Sequence, residues 1–231
     1  MLPCAGDTSA VLTRFFLRLL ILITGLFFFA LGVVTSIRAH IGYAPWSVFH
    51  VGLADTIGWS IGATSIMVGM VIVMFAALLR EKLGLGTILN MVVIGLFIDV
   101  IFPFIPLGRN FPAGIMMLFA GIFSISVGTY CYMRAGFGPG PRDSLMVALN
   151  RKTRLPIGLC RSTLELAVTI AGFLLGGMVG IGTIIFVVAI GFSIQMTFKL
   201  FKFDAKAVKH ETLRETYVML KNAIFRQGSA H

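Results

Sequence analysis

Gly84-Leu-Gly-Thr-Ile88 recurs as Gly180-Ile-Gly-Thr-Ile184, and around these motifs residues 21–100 align with residues 117–196 at a constant offset of 96, without a gap. Other identical pairs at this offset are Gly25 with Gly121, Phe27 with Phe123, Gly32 with Gly128, Arg38 with Arg134, Gly42 with Gly138, and Pro45 with Pro141. Apolar composition alone makes Leu, Ile and Val coincide, but it does not align such motifs. The chain is therefore two copies of one unit.

The composition is that of a membrane protein. Hydrophobic residues make up 58% of the chain and charged residues 12%, with a mean hydropathy of +0.97, whereas soluble domains are about 25% charged. A membrane span needs ~20 mostly apolar residues. Six stretches qualify, at roughly 14–37, 61–79, 84–104, 112–133, 157–176 and 180–200. We therefore predict an all-α polytopic membrane protein whose first span is retained and is not a cleaved signal.

The basic residues predict the orientation. With the N-terminus inside, every Lys and Arg except Arg38 and Arg109 falls on the cytoplasmic side, which is where basic residues near spans are held. The chain then divides into a cytoplasmic N-terminus (1–13), a first repeat (14–104), a periplasmic loop (105–111), a second repeat (112–200) and a basic cytoplasmic tail (201–231). We expect the cell location to be the bacterial cytoplasmic membrane.

The tail is basic and mildly amphipathic, with Leu213, Tyr217, Leu220 and Ile224 at helical spacing. We expect it to lie along the anionic lipids of the inner leaflet, where each basic residue contributes ~1 kcal/mol. The net charge of +10 is then a topology and lipid signal. No basic stripe or aromatic platform indicates nucleic acid.

Three spans per copy is an odd number, so the second copy should cross the membrane in the opposite sense from the first. We therefore predict two inverted three-helix repeats. This architecture is typical of transporters, because two antiparallel copies can build a site near the midplane that opens to either face.

Each copy has an irregular segment between its first and second spans, at residues 38–54 and 134–150. Glycines and prolines interrupt the helix there, and Pro45 or Pro141 then suits the first position of a new helix of about ten residues. That length is too short to span. It fits either a re-entrant helix beside a water-filled cavity or an amphipathic helix lying flat at the surface. The sequence leaves both open.

These residues resemble a known family, the YczE/YitT-type bacterial integral membrane proteins, and in particular its YczE branch. The resemblance runs from about Arg14 to Lys199. It is carried by Arg38-Ala-His-Ile-Gly-Tyr-Ala-Pro-Trp46, by Gly84-Leu-Gly-Thr-Ile-Leu-Asn90, by Gly95-Leu-Phe-Ile-Asp99, by Gly138-Pro-Gly-Pro-Arg-Asp143, and by Gly180-Ile-Gly-Thr-Ile184. It implies a transporter-like multi-pass protein of the cytoplasmic membrane without an assigned substrate. Relatives often carry Asp where this chain has Ser47, which argues against two symmetric carboxylates.

Polar residues within the spans are few, because charge at the bilayer centre is costly. Asp99 and its counterpart Gln195 are either a polar pair beside a solute pathway or, for Asp99, an interfacial contact with Arg38 or Arg109. Glu165 follows Arg161 by one turn, so the two form either a structural ion pair or a coupling site.

The broken segments and their flanks supply the candidates for substrate binding. A guanidinium beside a broken helix can bind an anionic group, although snorkelling would also explain Arg38 and Arg134. Asn90 could bind either a ligand or another helix. The candidates are Arg38, Pro45, Trp46, Ser47, Asn90, Arg134, Pro141, Arg142 and Asp143.

The sequence does not indicate an enzyme, a metal site or a cofactor, because its His and Cys residues fit no ligand spacing and no phosphate-binding motif is present. We predict a secondary transporter or exporter of a small solute. A membrane binding or accessory subunit of a larger complex, or a channel, remains the alternative. A homo-oligomer is left open.

Overall fold

The computed structural model describes residues 8–79, 81, 83–204, 208 and 210–228, without the side chains of 8–11, 157, 220 and 222–228. These residues form helices and no strand. The helices are α1 (Thr8–Arg38), α2 (Pro45–Ile57), α3 (Ile61–Leu78), α4 (Leu85–Ile101), α5 (Phe111–Ala135), α6 (Pro141–Thr153), α7 (Ile157–Leu174), α8 (Ile181–Leu200) and α9 (Leu213–Gly228). A short 3-10 turn, Phe102–Phe104, follows α4.

Five of these helices, α1, α3, α4, α5 and α8, are long and apolar enough to cross a membrane. A sixth span is reached if α6 and α7, which meet at a bend of 119°, count as one broken span. The prediction of an all-helical, multi-pass membrane protein is therefore confirmed. The expected span at 157–176 corresponds to α7.

The helix boundaries repeat as the sequence does. At the offset of 96, α2 coincides with α6 and α3 coincides with α7 from first residue to last, and α4 and α8 begin at equivalent residues. Proline starts both α2 and α6, because its fixed φ suits the first turn and its missing amide N–H has no partner there. The same local chemistry therefore produces the same elements in both copies.

The centre of the fold is the crossing of α1 and α5. Gly25 lies against Gly128, and Gly32 lies against Gly121, so the two helices run antiparallel. A Cβ on Gly32 would come within 2.5 Å of the Gly121 carbonyl oxygen. Small residues let the backbones approach this closely, which is the packing expected inside a membrane.

The break in each copy is held by the other copy. The Gly182 amide donates to the Ile41 carbonyl at 2.8 Å, and the equivalent Gly86 amide donates to the Phe137 carbonyl at 2.7 Å. The two Gly-x-Gly-Thr-Ile motifs therefore have a structural reason: the start of each helix, α4 or α8, receives the broken backbone of the opposite repeat.

Glycine is required where these backbones meet. Gly42 and Gly138 both have a φ of +117°, which side chains other than glycine rarely adopt. A Cβ on Gly42 would also lie 2.7 Å from the Gly180 nitrogen. Substitution at either break would therefore strain the backbone and separate the repeats locally.

The two copies differ in how two helices pack, α3 on α4 in the first copy and α7 on α8 in the second. A Cβ on Gly62 of α3 would collide with the Gly95 carbonyl of α4, so these helices are in close contact. The equivalent glycines, Gly158 of α7 and Gly191 of α8, have open space around them, and α7 has no comparable packing on α8. A gap thus replaces a closed interface in the second copy.

The described part of the tail folds back on the bundle. Glu211 pairs with Arg18 at 2.6 Å, its amide donates to the Gly136 carbonyl at 2.9 Å, and the Leu213 amide donates to the Leu83 carbonyl at 3.0 Å. We had expected the whole tail to lie along the leaflet. These contacts bring residues 211–216 against the bundle instead.

The expected amphipathic helix of the tail exists as α9. Thr216 is buried and Met219 packs against the core, while Tyr217 is exposed. The side chains of Leu220 and Ile224, which we predicted on the same face, lie outside the described residues. α9 thus docks one face on the bundle and leaves Tyr217 on its surface.

Candidate functional site

A cavity of about 410 Å³ lies between the two repeats, within the size range of ligand pockets. Most of its lining consists of equivalent residues of the two copies. The pairs include Val33 with Thr129, Trp46 with Arg142, Ser47 with Asp143, Ser65 with Arg161, Gly69 with Glu165, and Asn90 with Phe186. The cavity therefore lies where the two halves of the duplication meet.

Both broken segments reach this cavity. Ala44 to Ser47 line it from the start of α2, and Pro139 to Asp143 line it from the start of α6. The chain is forced to turn there by the glycines at positive φ and the prolines that begin the helices. The first turns of two short helices thus present side chains to one space.

Arg142 and Trp46 connect the two breaks. The guanidinium carbon of Arg142 lies 4.6 Å from the centroid of the Trp46 ring. A cation over an indole face is attracted by the ring quadrupole, by about 0.5–2 kcal/mol. Stacking occupies the face of the guanidinium and leaves its N–H groups at the edge available for a hydrogen-bonding ligand.

Asp143 is held by a neutral partner. The Tyr132 hydroxyl donates to its carboxylate at 3.2 Å. Asn90 and Asp143 both lie next to Gly140, where an added Cβ would be 3.5 Å from the Asn90 amide and from the Asp143 carboxylate. These three polar side chains together line the cavity next to the second break.

Glu165 and Arg161 form an ion pair at the cavity wall. The Arg161 Nε atom lies 2.9 Å from a Glu165 carboxylate oxygen, in i,i+4 spacing on α7. Both residues line the cavity. The ion pair predicted from the sequence is therefore present, and it lies on the part of the cavity wall that α7 contributes.

Arg38 and Arg134 lie outside the cavity lining. Arg38 donates to the Phe102 carbonyl at 2.9 Å and covers the Phe102 ring at 4.0 Å. Arg134 is exposed and donates to the Tyr130 hydroxyl at 2.8 Å. Each arginine thus makes its contacts at the end of its own helix, and neither side chain lines the cavity.

Asp99 and Gln195 also lie outside the cavity lining. Asp99 accepts hydrogen bonds from the Ser60 hydroxyl at 2.6 Å and the Gly62 amide at 2.8 Å, so it caps the start of α3 and contacts neither Arg38 nor Arg109. Gln195 is exposed on α8. The structure therefore gives Asp99 a capping position that neither of our interpretations foresaw.

His50 and Tyr132 line the cavity, but sequence reasoning did not select them. His50 is buried in α2, and its Nε2 atom has no hydrogen-bond partner among the described residues. The spacing of four residues from Trp46 would have identified His50, because i and i+4 lie on one helix face. Tyr132 has no comparable sequence signal.

Most of the chain, including the segment that contains the cavity, is similar to known proteins. A family model for DUF6198, a family of unknown function, matches residues 16–199, which include both breaks and the cavity. The chain belongs to this family. The resemblance to the YczE branch is confirmed by similarity to YczE of Bacillus subtilis, an uncharacterized membrane protein, with 35% identity over 175 residues that cover 75% of this chain and 81% of the relative.

Two further relatives in the curated proteins are also uncharacterized. A Haemophilus influenzae protein is 34% identical over 175 residues, covering 76% of this chain and 80% of its own length. YyaS of Bacillus subtilis is 24% identical over 166 residues, covering 70% and 82%. No solved structure matches the chain. This DUF6198 member is therefore a membrane protein whose activity has to be argued from its cavity.

Proposed function

We propose that this protein is a secondary transporter of a small solute in the bacterial cytoplasmic membrane, and not an enzyme. The single observation that carries the proposal is the cavity lined by equivalent residues of both copies, with the two breaks meeting at Trp46 and Arg142. Non-helical backbone at membrane depth is tolerated beside such a cavity, and substrate sites between repeats are typical of transporters.

We infer that the repeats are inverted, so that both termini face the cytoplasm. The antiparallel crossing of α1 and α5 supports this, because Gly25 with Gly128 and Gly32 with Gly121 are the same pair of positions exchanged between the copies. Ser124 also donates to the carbonyl of Phe28, its own counterpart, at 2.7 Å. A two-fold axis through this crossing would relate the two halves.

We infer that α2 and α6 are re-entrant helices. α2 supports this most clearly, since Pro45, Ser47, His50 and Ala54 are all buried within the protein. A helix lying flat at a membrane surface would expose one polar face to water. The burial of α2 instead favours a short helix enclosed by protein, whose first turn meets the cavity.

We infer the conformational change that transport needs from the different helix packing in the two copies. The interface of α3 with α4 is closed at Gly62 and Gly95, whereas α7 and α8 are apart at Gly158 and Gly191. In our proposal the two pairs exchange these arrangements, so the cavity opens first on one side and then on the other. The retained glycines would let α7 close on α8 as α3 closes on α4.

Reconstitution tests the proposal. The purified chain in liposomes should move a panel of radiolabelled metabolites with saturable kinetics, and one of them should exchange against its unlabelled form. The double variant W46A/R142Q should lose this flux, while R109Q, which changes an exposed arginine outside the cavity, should retain it. Flux that never saturates would indicate a channel, and flux that requires a partner ATPase would indicate an accessory subunit.

A further inference from the structure

We infer that the solute of this cavity is an amphipathic organic acid, with its carboxylate on Arg142 and its apolar body against the wall contributed by the first repeat. This inference rests on the proposed function, because it names the solute class of the same cavity.

Arg142 is the charged side chain of the described cavity lining whose hydrogen-bond donors are unused. Among the described residues it forms no hydrogen bond or ion pair, and its defined contact is the Trp46 ring. A guanidinium carries five N–H donors in a planar fork that matches a carboxylate with two parallel hydrogen bonds. The stacking on Trp46 fixes the plane of that fork without using its edge.

The other charges that line the cavity already have partners. Arg161 is neutralised by Glu165 at 2.9 Å, and Asp143 accepts a hydrogen bond from Tyr132. Arg142 and Asp143 are neighbours on the first turn of α6, and no hydrogen bond or ion pair joins their side chains. Tyr132 is neutral and does not cancel the charge of Asp143, so the solute class rests on the free N–H donors of Arg142, which form the one cationic fork in the described cavity lining that is open to a ligand.

The charged residues of the cavity lining all belong to one repeat. Its four charged residues, Arg142, Asp143, Arg161 and Glu165, all come from the second copy. The equivalent residues of the first copy are Trp46, Ser47, Ser65 and Gly69, which carry no charge.

The first copy also contributes apolar side chains to the cavity lining, among them Phe29, Val33, Met91 and Ile94. An inorganic anion would leave this surface unused. An acid with an aromatic or branched apolar body fills it and gains about 25 cal/mol for each Å² of apolar surface removed from water.

Three probes of similar shape test the charge. Calorimetry on the purified full-length protein in lipid nanodiscs should detect phenylacetate, and should detect neutral phenylacetamide and cationic phenethylamine at least about tenfold more weakly. Equal binding of phenylacetate and phenylacetamide, or preferred binding of phenethylamine, would overturn the inference. This comparison uses the unmodified chain, so no variant has to fold.

Two variants locate the carboxylate. R142Q should weaken phenylacetate binding at least about tenfold, and R142K should retain part of it, because a lysine keeps the charge but not the fork. The matched control R109Q should bind as the parent does. Undiminished binding by an R142Q protein of normal melting temperature would exclude Arg142 as the anchor.

The variant E165Q should change the affinity for phenylacetate in the opposite direction from R142Q. It removes the partner of Arg161 and adds positive charge to the cavity, so phenylacetate should bind more tightly, by about threefold to tenfold. Weaker binding by E165Q would mean that the glutamate contacts the ligand, which contradicts the anionic class.

Binding and transport fail separately in this design. Phenylacetate that binds through Arg142 without being moved in liposomes would refute transport and leave the solute class standing. Saturable exchange of an amine or a neutral metabolite, without any exchange of acids, would refute the solute class and leave transport standing.

Discussion

Arg142 lies over the indole ring of Trp46, and the two residues occupy the same position in the two repeats, 96 residues apart. Both residues line the cavity, one from each copy. Their contact supplies a spectroscopic reporter inside the cavity, since the chain contains only 2 tryptophans.

The first prediction uses this reporter. In W59F, Trp46 is the sole tryptophan, and a solute that enters the cavity should change its emission in a saturable way. In the matched variant W46F, the remaining Trp59 is exposed, so its emission should not respond. A response of equal size in both variants would place the solute elsewhere than beside Trp46.

The second prediction concerns the seam between α1 and α5. G32L should lower the melting temperature in detergent by several degrees, because overpacking a tight contact costs about 1–3 kcal/mol and a Cβ there meets the Gly121 carbonyl. G191A, at a helical glycine with open space around it, should be neutral or stabilising. Size-exclusion profiles after heating measure both. Equal melting temperatures for G32L and the parent would contradict the close crossing.

The third prediction concerns Asp99. D99A should lower stability by about 1–2 kcal/mol, because it removes the acceptor for Ser60 and for the Gly62 amide at the start of α3. Ligand affinity and exchange rates should stay within twofold of the parent at a temperature where both are folded. Loss of exchange in a stable D99A protein would instead return Asp99 to the solute pathway.

The fourth prediction tests the exchange of conformations. In a background with Cys4, Cys131 and Cys160 replaced by alanine, a cysteine pair at Ile66 and Gly95 should cross-link readily, because these residues touch in the closed α3–α4 interface. The equivalent pair at Ser162 and Gly191 should cross-link only when α7 approaches α8, and its yield should rise with substrate.

Formation of the second cross-link should also stop solute exchange, and reduction of that disulfide should restore it. If the pair at Ser162 and Gly191 never cross-links under any gradient or ligand, the two copies do not interchange their arrangements.

The fifth prediction concerns the docked tail. Partial burial holds the pKa of His210 below its ordinary value of 6.5, against an opposing effect of Asp143. The docked state therefore favours neutral His210, and docking should weaken as the pH falls below about 6.5, where a released tail gains a proton. Docking should be unaffected above that pH.

A spin label on Y217C, an exposed position of α9, measures this effect. Its mobile fraction should increase between pH 7 and pH 5, and H210Q should remove most of the increase. The same increase in H210Q would show that His210 is not the group that titrates.

Local chemistry made much of the fold predictable. Glycine and proline mark both breaks, and Pro45 and Pro141 start helices where a proline belongs, so the short helices could be placed from residue types alone. On the re-entrant alternative the breaks were also expected to line a cavity, because a break at membrane depth has to meet a cavity or the protein interior.

The direction of side chains and the long-range contacts could not be predicted. Arg38 and Arg134 were selected because they adjoin the breaks, but only the turn of a helix decides which way its last residue points. Asp99 caps a helix start by accepting hydrogen bonds from groups 37 and 39 residues away. The docking of the tail depends on backbone bonds such as Glu211 to Gly136, and backbone bonds leave no mark in a sequence.

The backbone hydrogen bond that each break makes to the opposite repeat has a consequence for the origin of the chain. Because Gly86 receives Phe137 and Gly182 receives Ile41, a half-length ancestor had no internal receptor for its own loop. Such an ancestor would have needed a second molecule as the receptor, and under the inverted arrangement that we propose this molecule crossed the membrane in the opposite sense. The fused chain would then preserve an antiparallel homodimer. Separately expressed halves should reassemble into a whole, and neither half should survive alone.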